Sequence, residues 1–285
     1  QALKGAGLPF PDVVAVAHAQ RAFPGAARLS SLAETRAWLL DPCNYPFFGK
    51  PAAGTFGQSV CYALGVDVAA NRIDYFGGHS ASIEETANLV FSDRAHGYLL
   101  QQLVRSSAQM ADIMGDVVPT ARIISVMTAS GVFLHQAVLR VPRGDLPTDN
   151  YAKGASGTGA AWIDIESGTL GPVHWGSGFG QKCLDDHPVT GARIAGFALP
   201  EWTDITEMLV EGHRYFPGLP LIGWDVAFSD EGPLILELNA TSGYVVLQAT
   251  GHGFVDDRLR AAIPLAEPTR RARFPRLNVS GSNLR

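Results

Sequence analysis

A short hairpin near the C-terminal end constrains the fold of this chain more than any other feature. Two apolar runs, 223–228 and 233–239, flank a turn, and each run carries acid where a core strand would carry Val or Leu. A three-residue loop, Asp230–Gly232, ends in the glycine that the common hairpin turn with a left-handed last position requires. Counting back from this loop puts Asp225 directly opposite Glu237.

The hairpin therefore predicts a cation site. Asn239 follows Glu237 by two residues and shares its face of the strand. Because like charges directly opposite destabilise a sheet, Asp225 and Glu237 need a cation between them, and oxygen ligands of this kind suit Mg²⁺. The alternative is an ordinary amphipathic hairpin whose polar face meets water. A two-residue loop would shift the register and separate the carboxylates.

Composition bounds the remaining possibilities. The chain has 285 residues and a net charge of -5, which gives no signature of nucleic-acid binding. Its three cysteines, Cys43, Cys61 and Cys183, are far apart and show no CxxC spacing, which favours a reducing compartment over a disulfide scaffold or a zinc site. No apolar run approaches the length of a membrane span, and the N-terminus lacks a signal-peptide pattern, so we expect a cytoplasmic protein with no membrane partner.

The order of predicted elements favours an α+β fold. Hairpins outnumber strand–helix–strand units, which indicates antiparallel sheets rather than a doubly wound parallel sheet. We expect two closely packed α+β lobes, residues 1–97 and residues 98–285, the second carrying the acidic hairpin and a basic tail.

Local signals predict three of the helices. Ser82 with Glu85 forms a capping box for a helix over about 83–91. Asp204 and Glu207 predict the cap of a helix that runs to about residue 215, and a final helix is predicted near 255–263.

A lysine and a glycine loop form the second candidate element. Lys50 ends the apolar strand 47–50, and the loop that follows contains Gly54 and Gly57. A lysine in this place can reach nucleotide phosphates while loop amides fold over them. The alternative is a strand-end lysine that reaches solvent beside an ordinary turn.

A second hairpin, residues 120–141, carries two arginines. Its loop Ala129–Gly131 again ends in glycine, and the register puts Arg122 and Arg140 on one face. They could clamp a phosphate or a carboxylate, or form a surface pair neutralised by nearby acids.

Taken in this order, these pieces resemble the ATP-grasp superfamily, and within it the sugar-transfer-associated group related to alpha-L-glutamate-ligase-like proteins. The resemblance extends from about Lys50 to Gln248. It is carried by Phe48-Gly49-Lys50-Pro51 with its glycine loop, Leu99 to Val104, Thr120-Ala121-Arg122-Ile123, Leu139-Arg140-Val141-Pro142, and Gly223-Trp224-Asp225 with Glu237-Leu238-Asn239.

The resemblance implies two α+β lobes with mainly antiparallel sheets that hold ATP between them. By position, Lys50 would contact the phosphates, and Gly54 and Gly57 would belong to the loop that closes over them. The implied hinge strand that holds adenine is Gln101, Gln102, Leu103 and Val104. The implied magnesium ligands are Asp225, Glu237 and Asn239, and Arg122 and Arg140 would steady the γ-phosphate or an acyl-phosphate.

The activity expected from this resemblance is an ATP- and Mg²⁺-dependent carboxylate–amine ligase, with small-molecule acid and amine substrates. The missing motifs agree, since no GxxxxGK phosphate loop, GxSxG elbow or HExxH is present. Two alternatives stay open. One is a kinase of a hydroxyl or sugar, with Asp164, Asp186 or His187 as the base. The other is a nucleotide-binding module without turnover. Because the segment ahead of the first lobe is short, a second copy or a partner chain could complete the substrate site.

Overall fold

The computed structural model describes residues 2–53, 59–92, 95–144, 158–176, 178–240 and 243–262. The chain divides into two compact units, Gln1–Phe254 and Val255–Arg285. Both sheets and the candidate site lie in the first unit. The described part of the second unit contains one short helix.

The strands of the described residues form two seven-stranded sheets. In the first sheet only β1 and β2 run parallel, and the other neighbours are antiparallel. Its order is β2 (Ala27–Leu29), β1 (Val13–Ala17), β7 (Tyr98–Gln102), β3 (Phe47–Pro51), β4 (Cys61–Asp67), β5 (Arg72–Tyr75) and β6 (Ser80–Ser82).

The second sheet is antiparallel throughout. Its order is β12 (Lys182–Leu184), β11 (Leu170–Trp175), β10 (Gly159–Ile163), β9 (Gly131–Val141), β8 (Thr120–Thr128), β13 (Leu221–Ser229) and β14 (Gly232–Asn239). The predicted α+β class with mainly antiparallel sheets is therefore confirmed.

Helices cover one face of each sheet. One hydrophobic cluster packs α2 and α3 on the first sheet around Phe47, and a larger one packs α4 and α5 on the second sheet around Trp224. The helices are α1 (Ala2–Gly5), α2 (Leu32–Leu39), α3 (Ile83–Val90), α4 (Ala108–Met114), α5 (Trp202–His213), α6 (Val245–Gln248) and α7 (Asp257–Ala262).

One predicted helix start is wrong, and one short helix is missed. Asp204 and Glu207 were expected to cap α5, but the helix begins at Trp202, after Glu201 in a left-handed conformation with φ of 53°. Tertiary packing moves the start, because the Trp202 ring lies against Gly168 and its Nε1 donates to the Ile165 carbonyl at 2.9 Å. Toward the C-terminus, a predicted helix from 255 to 263 corresponds to α7, and the preceding α6 was not predicted.

Both site hairpins reach the predicted register by an unexpected route. Ser229 pairs with Gly232 across a two-residue turn, one residue shorter than predicted. A one-residue bulge at Leu236 restores the count, so that Asp225 still lies opposite Glu237.

The β8–β9 hairpin repeats this compensation. Thr128 pairs with Gly131, and a bulge between Ile124 and Ser125 returns Arg122 to its predicted position opposite Val138. In both hairpins the extra residue of the bulge compensates for the residue missing from the turn, so the predicted register is kept.

The strand that begins at Tyr98 lies in the first sheet, between β1 and β3. The sequence put it at the start of the second lobe, so the division of the chain between the two sheets falls after Gln102. Within the described ranges, no helix is long and apolar enough to cross a membrane.

Candidate functional site

A cavity of about 110 Å³ lies between the two sheets. The predicted hinge residues line it, together with Lys50 and with residues that the sequence reasoning missed. Its walls are formed by Pro11, Phe48, Lys50, Tyr62, Gln101, Gln102, Leu103, Val104, Val117, Val118, Thr120 and Leu236.

One wall of this cavity is aromatic. Phe48 meets Tyr62 edge to face at 6.4 Å between ring centroids, and Tyr62 stacks on Phe76 at 5.0 Å. Burial raises the pKa of the Tyr62 phenol, partly offset by Arg105. Phe48 and Tyr62 are cross-strand partners in β3 and β4. Pairing these two predicted strands could have identified this wall from the sequence.

Lys50 reaches across from the first sheet to the second. Its Nζ donates to the Leu236 carbonyl at 3.2 Å. Leu236 is the extra residue of the β14 bulge, where the ladder is locally disrupted. Burial lowers the pKa of the Lys50 amine, although the carboxylates of Glu237 and Asp225 favour its charged form. The Lys50 ammonium therefore lies near both predicted metal-ligand carboxylates.

Arg122 and Arg140 both bind Asp225. Arg122 donates to Asp225 through Nε, and through Nη2 at 3.0 Å. Arg140 Nη2 lies 3.1 Å from both carboxylate oxygens, and its Nη1 donates to the Thr120 hydroxyl at 2.9 Å. The predicted shared face of the arginines is confirmed, and the acid that neutralises them is buried rather than at the surface.

The arginine pair changes the electrostatic argument for a metal. Burial alone would raise the pKa of the Asp225 carboxyl, but Arg140 and Arg122 outweigh it and hold that pKa below its ordinary value. Two guanidinium groups, those of Arg122 and Arg140, lie against the Asp225 carboxylate. Side chains thus supply the cation that Asp225 needs, and a metal is not required to balance it.

The remaining predicted metal ligands lie beside this cluster. Glu237 is exposed, and Asn239 is half-buried with a buried Nδ2 that has no hydrogen-bond partner. The described residues contain no group of three or more His, Cys, Asp or Glu side chains that could hold a metal ion unaided. The Glu237 carboxylate and the Asn239 amide do fit Mg²⁺ in its usual protein mode, in which substrate phosphates supply further oxygens, whereas both Asp225 oxygens already accept from the arginines.

Gly54 and Gly57, the predicted phosphate-loop glycines, lie outside the described residues. The three candidate bases of the kinase alternative have structural partners instead. Asp164 accepts the backbone N–H of Ser167 in a turn, and Asp186 pairs with Arg193 at 3.3 Å. His187 uses Nδ1 to accept two backbone N–H groups and Nε2 to donate to the Pro142 carbonyl.

A family model for sugar-transfer associated ATP-grasp proteins matches residues 1–261. This chain belongs to that ATP-grasp family. The membership agrees with two mainly antiparallel sheets and a cavity between them. No curated protein matches the sequence.

Solved structures with similar folds are distant from this ATP-grasp chain. An L-amino acid ligase from Bacillus licheniformis is 13% identical, with a TM-score of 0.42 over 86% of this chain and 40% of its own. An N5-carboxyaminoimidazole ribonucleotide synthetase in an ADP complex is 12% identical, with a TM-score of 0.44 over 86% and 44%. A D-alanyl-alanine synthetase A from Vibrio cholerae is 11% identical, with a TM-score of 0.45 over 88% and 59%. The chain thus spans 40% to 59% of the length of these proteins.

Proposed function

We propose that this ATP-grasp chain is an ATP- and Mg²⁺-dependent carboxylate–amine ligase that forms an acyl-phosphate. The observation that carries the proposal is the cationic cluster, formed by Arg122, Arg140 and Asp225, at the edge of an apolar cavity. Thr120 belongs to both, because it lines the cavity and accepts a hydrogen bond from Arg140. Family membership supports the same conclusion.

The cavity suits a nucleotide base. Its lining is mainly apolar and includes the Phe48 and Tyr62 rings and the end of the β7 strand. Gln101 and Gln102 stand at the predicted hinge, and Gln101 donates its side-chain N–H to the Pro11 carbonyl at 3.4 Å. In this proposal, backbone groups of residues 101–104, at and just after the end of β7, hold adenine.

The charged residues suit the phosphates. Lys50 approaches from the first sheet, and Arg122 and Arg140 approach from the second. Phosphoryl transfer depends on positioning and charge neutralisation more than on a covalent nucleophile. In this proposal the three cations orient the γ-phosphate toward a substrate carboxylate, whose oxygen attacks the phosphorus and releases ADP. Arg140 then steadies the acyl-phosphate until an amine attacks its acyl carbon, forming the amide and releasing phosphate.

Glu237 and Asn239 would hold magnesium, and Asp225, the third residue of the implied set, binds Arg122 and Arg140. When bound, the metal would neutralise charge on the phosphoryl oxygens. The unpartnered Nδ2 of Asn239 leaves its amide free to turn the oxygen toward a cation.

A ³¹P NMR time course tests the reaction class. The protein would receive Mg-ATP, hydroxylamine as a general amine acceptor, and pools of small carboxylic acids. ADP, free phosphate and a hydroxamate that depend on one acid pool would support the ligase. ADP with a new phosphoester signal would show kinase chemistry instead, and unchanged ATP across all pools would indicate a binding module.

Glu237→Gln is the first variant to compare. We expect its turnover to fall to background, because the change removes a carboxylate oxygen from the metal site while preserving shape. Glu166→Gln is the matched control, since Glu166 lies exposed in the turn between β10 and β11. Turnover in Glu237→Gln close to that of the control would contradict the metal role.

A further inference from the structure

Thr120 joins the cavity to the arginine cluster. It is the first residue of β8, is 3% exposed and lines the cavity between the sheets. The pairing of Ala121 with Leu139 brings Thr120 next to Arg140 on the neighbouring strand. Its hydroxyl accepts a hydrogen bond from Arg140 Nη1 at 2.9 Å.

The Arg140 guanidinium is therefore held at both terminal nitrogens. Nη1 binds Thr120, and Nη2 binds the Asp225 carboxylate at 3.1 Å. Because the guanidinium is planar, one anchor on each terminal nitrogen fixes the direction in which the group presents its charge. Asp225 is shared with Arg122, so the Thr120 hydroxyl adds an anchor on a different nitrogen of Arg140.

The orientation of the Arg140 guanidinium matters because the cluster is shielded from solvent. Side chains of Arg122, Arg140 and Asp225 are only 10%, 12% and 7% exposed. At this burial, a hydrogen bond to an ionised group contributes more to stability than the same bond at the surface. Water cannot take over the role of a guanidinium that points in the wrong direction.

We propose that Thr120 is a positioning residue that sets the Arg140 guanidinium for the terminal phosphate of the nucleotide bound in the cavity. This inference rests on the proposed function. Thr120 contacts the part of the site that receives the base and orients the group that receives the γ-phosphate. Recognition of the triphosphate would then depend on the Thr120 hydroxyl even though this hydroxyl does not contact the phosphate.

Isothermal titration with Mg-ATP and with AMP tests this role in two variants. Thr120→Val keeps the shape but loses the hydroxyl, and we expect about tenfold weaker binding of ATP with AMP affinity unchanged within about twofold. Thr120→Ser keeps the hydroxyl and should bind both nucleotides like the wild type. Thr128→Val is the control, because the Thr128 hydroxyl bonds only within an exposed turn.

A double-mutant cycle with Arg140→Lys tests whether Thr120 acts through Arg140. We expect Thr120→Val to cost no further ATP affinity in the Arg140→Lys background. Equal losses of ATP and AMP affinity in Thr120→Val would overturn the proposal, as would an unchanged ATP affinity or additive losses in the cycle. A wild-type protein that binds neither nucleotide would instead overturn the proposed function, and this inference with it.

Discussion

Asp225 is 5% exposed and is the point at which both arginines meet. We expect Asp225→Asn to lower the free energy of unfolding by about 3–5 kcal/mol, because two buried guanidinium groups lose a buried carboxylate that binds both of them. Urea denaturation at pH 7 measures this. Asp74→Asn is the control, since the Arg72–Asp74 pair is about half exposed and should contribute under about 1 kcal/mol. Equal, small losses in both variants would contradict the structural role of Asp225.

The same carboxylate should make the protein sensitive to acid. Its pKa is lowered in the folded state, so its stabilising effect is present above the unfolded value of about 3.9 and is lost as pH falls through the folded value. We therefore expect the stability gap between wild type and Asp225→Asn to narrow below about pH 4. Urea denaturation repeated from pH 7 to pH 3 would show it, and a gap independent of pH would contradict the assignment.

Lys50 is half-buried and its surroundings lower the pKa of its amine, so holding the positive charge there costs stability unless a ligand uses it. We expect Lys50→Met to leave the stability of the ligand-free protein unchanged or higher, and to weaken ATP binding about tenfold or more. Thermal denaturation and calorimetric titration measure the two effects. Lys4→Met is a matched control, since Lys4 also donates to a backbone carbonyl, that of Pro24, but is exposed. Unchanged ATP affinity in Lys50→Met would remove Lys50 from the phosphate site.

Individual site residues could be predicted where strand alternation decides the outcome. Alternation put Arg122 and Arg140 on one face and Asp225 opposite Glu237, as the structure has them. It could not show that the arginines bind Asp225, because that contact spans three strands and depends on how the second sheet is ordered. The roles of these residues in catalysis stay predictions.

At the scale of elements, local sequence signals were reliable where residues close in sequence cap the end of a helix. Ser82 and Glu85 were predicted as a capping box, and both of its hydrogen bonds are present at the start of α3. The start of α5 was mispredicted because a contact with Gly168, remote in sequence, decides it. The bulges were missed because counting residues outward from a turn assumes that every residue has a partner on the neighbouring strand.

The caps of α3 and α4 give a paired test. Ser82→Ala should lower stability by about 1 kcal/mol, because its hydroxyl accepts from the Glu85 N–H at 3.1 Å. Ser107→Ala should be neutral or stabilising, because Ser107 makes no side-chain cap and its buried hydroxyl has no partner. Equilibrium denaturation of both variants measures the difference. A larger loss in Ser107→Ala would contradict this account of the caps.

At the scale of the molecule, the cavity and the cationic cluster draw residues from both sheets, so nucleotide binding should stabilise them together. At an Mg-ATP concentration about 100 times Kd, the expected gain is about 2.7 kcal/mol, or a rise in Tm of about 5–10 °C. Differential scanning fluorimetry checks this, with Lys50→Met expected to show a much smaller rise. No rise in the wild type at millimolar Mg-ATP would contradict nucleotide binding.

The bulge at Leu236 has a consequence for how such a hairpin tolerates insertions and deletions. A three-residue turn with a regular ladder and a two-residue turn with one bulge place Asp225 and Glu237 opposite each other equally well. An insertion between Ser229 and Gly232 lengthens the loop, and deletion of Leu236 removes the bulge, and in both cases the count leaves Asp225 opposite Glu237. Related chains could therefore differ in length on both sides of the turn while keeping the same acids face to face.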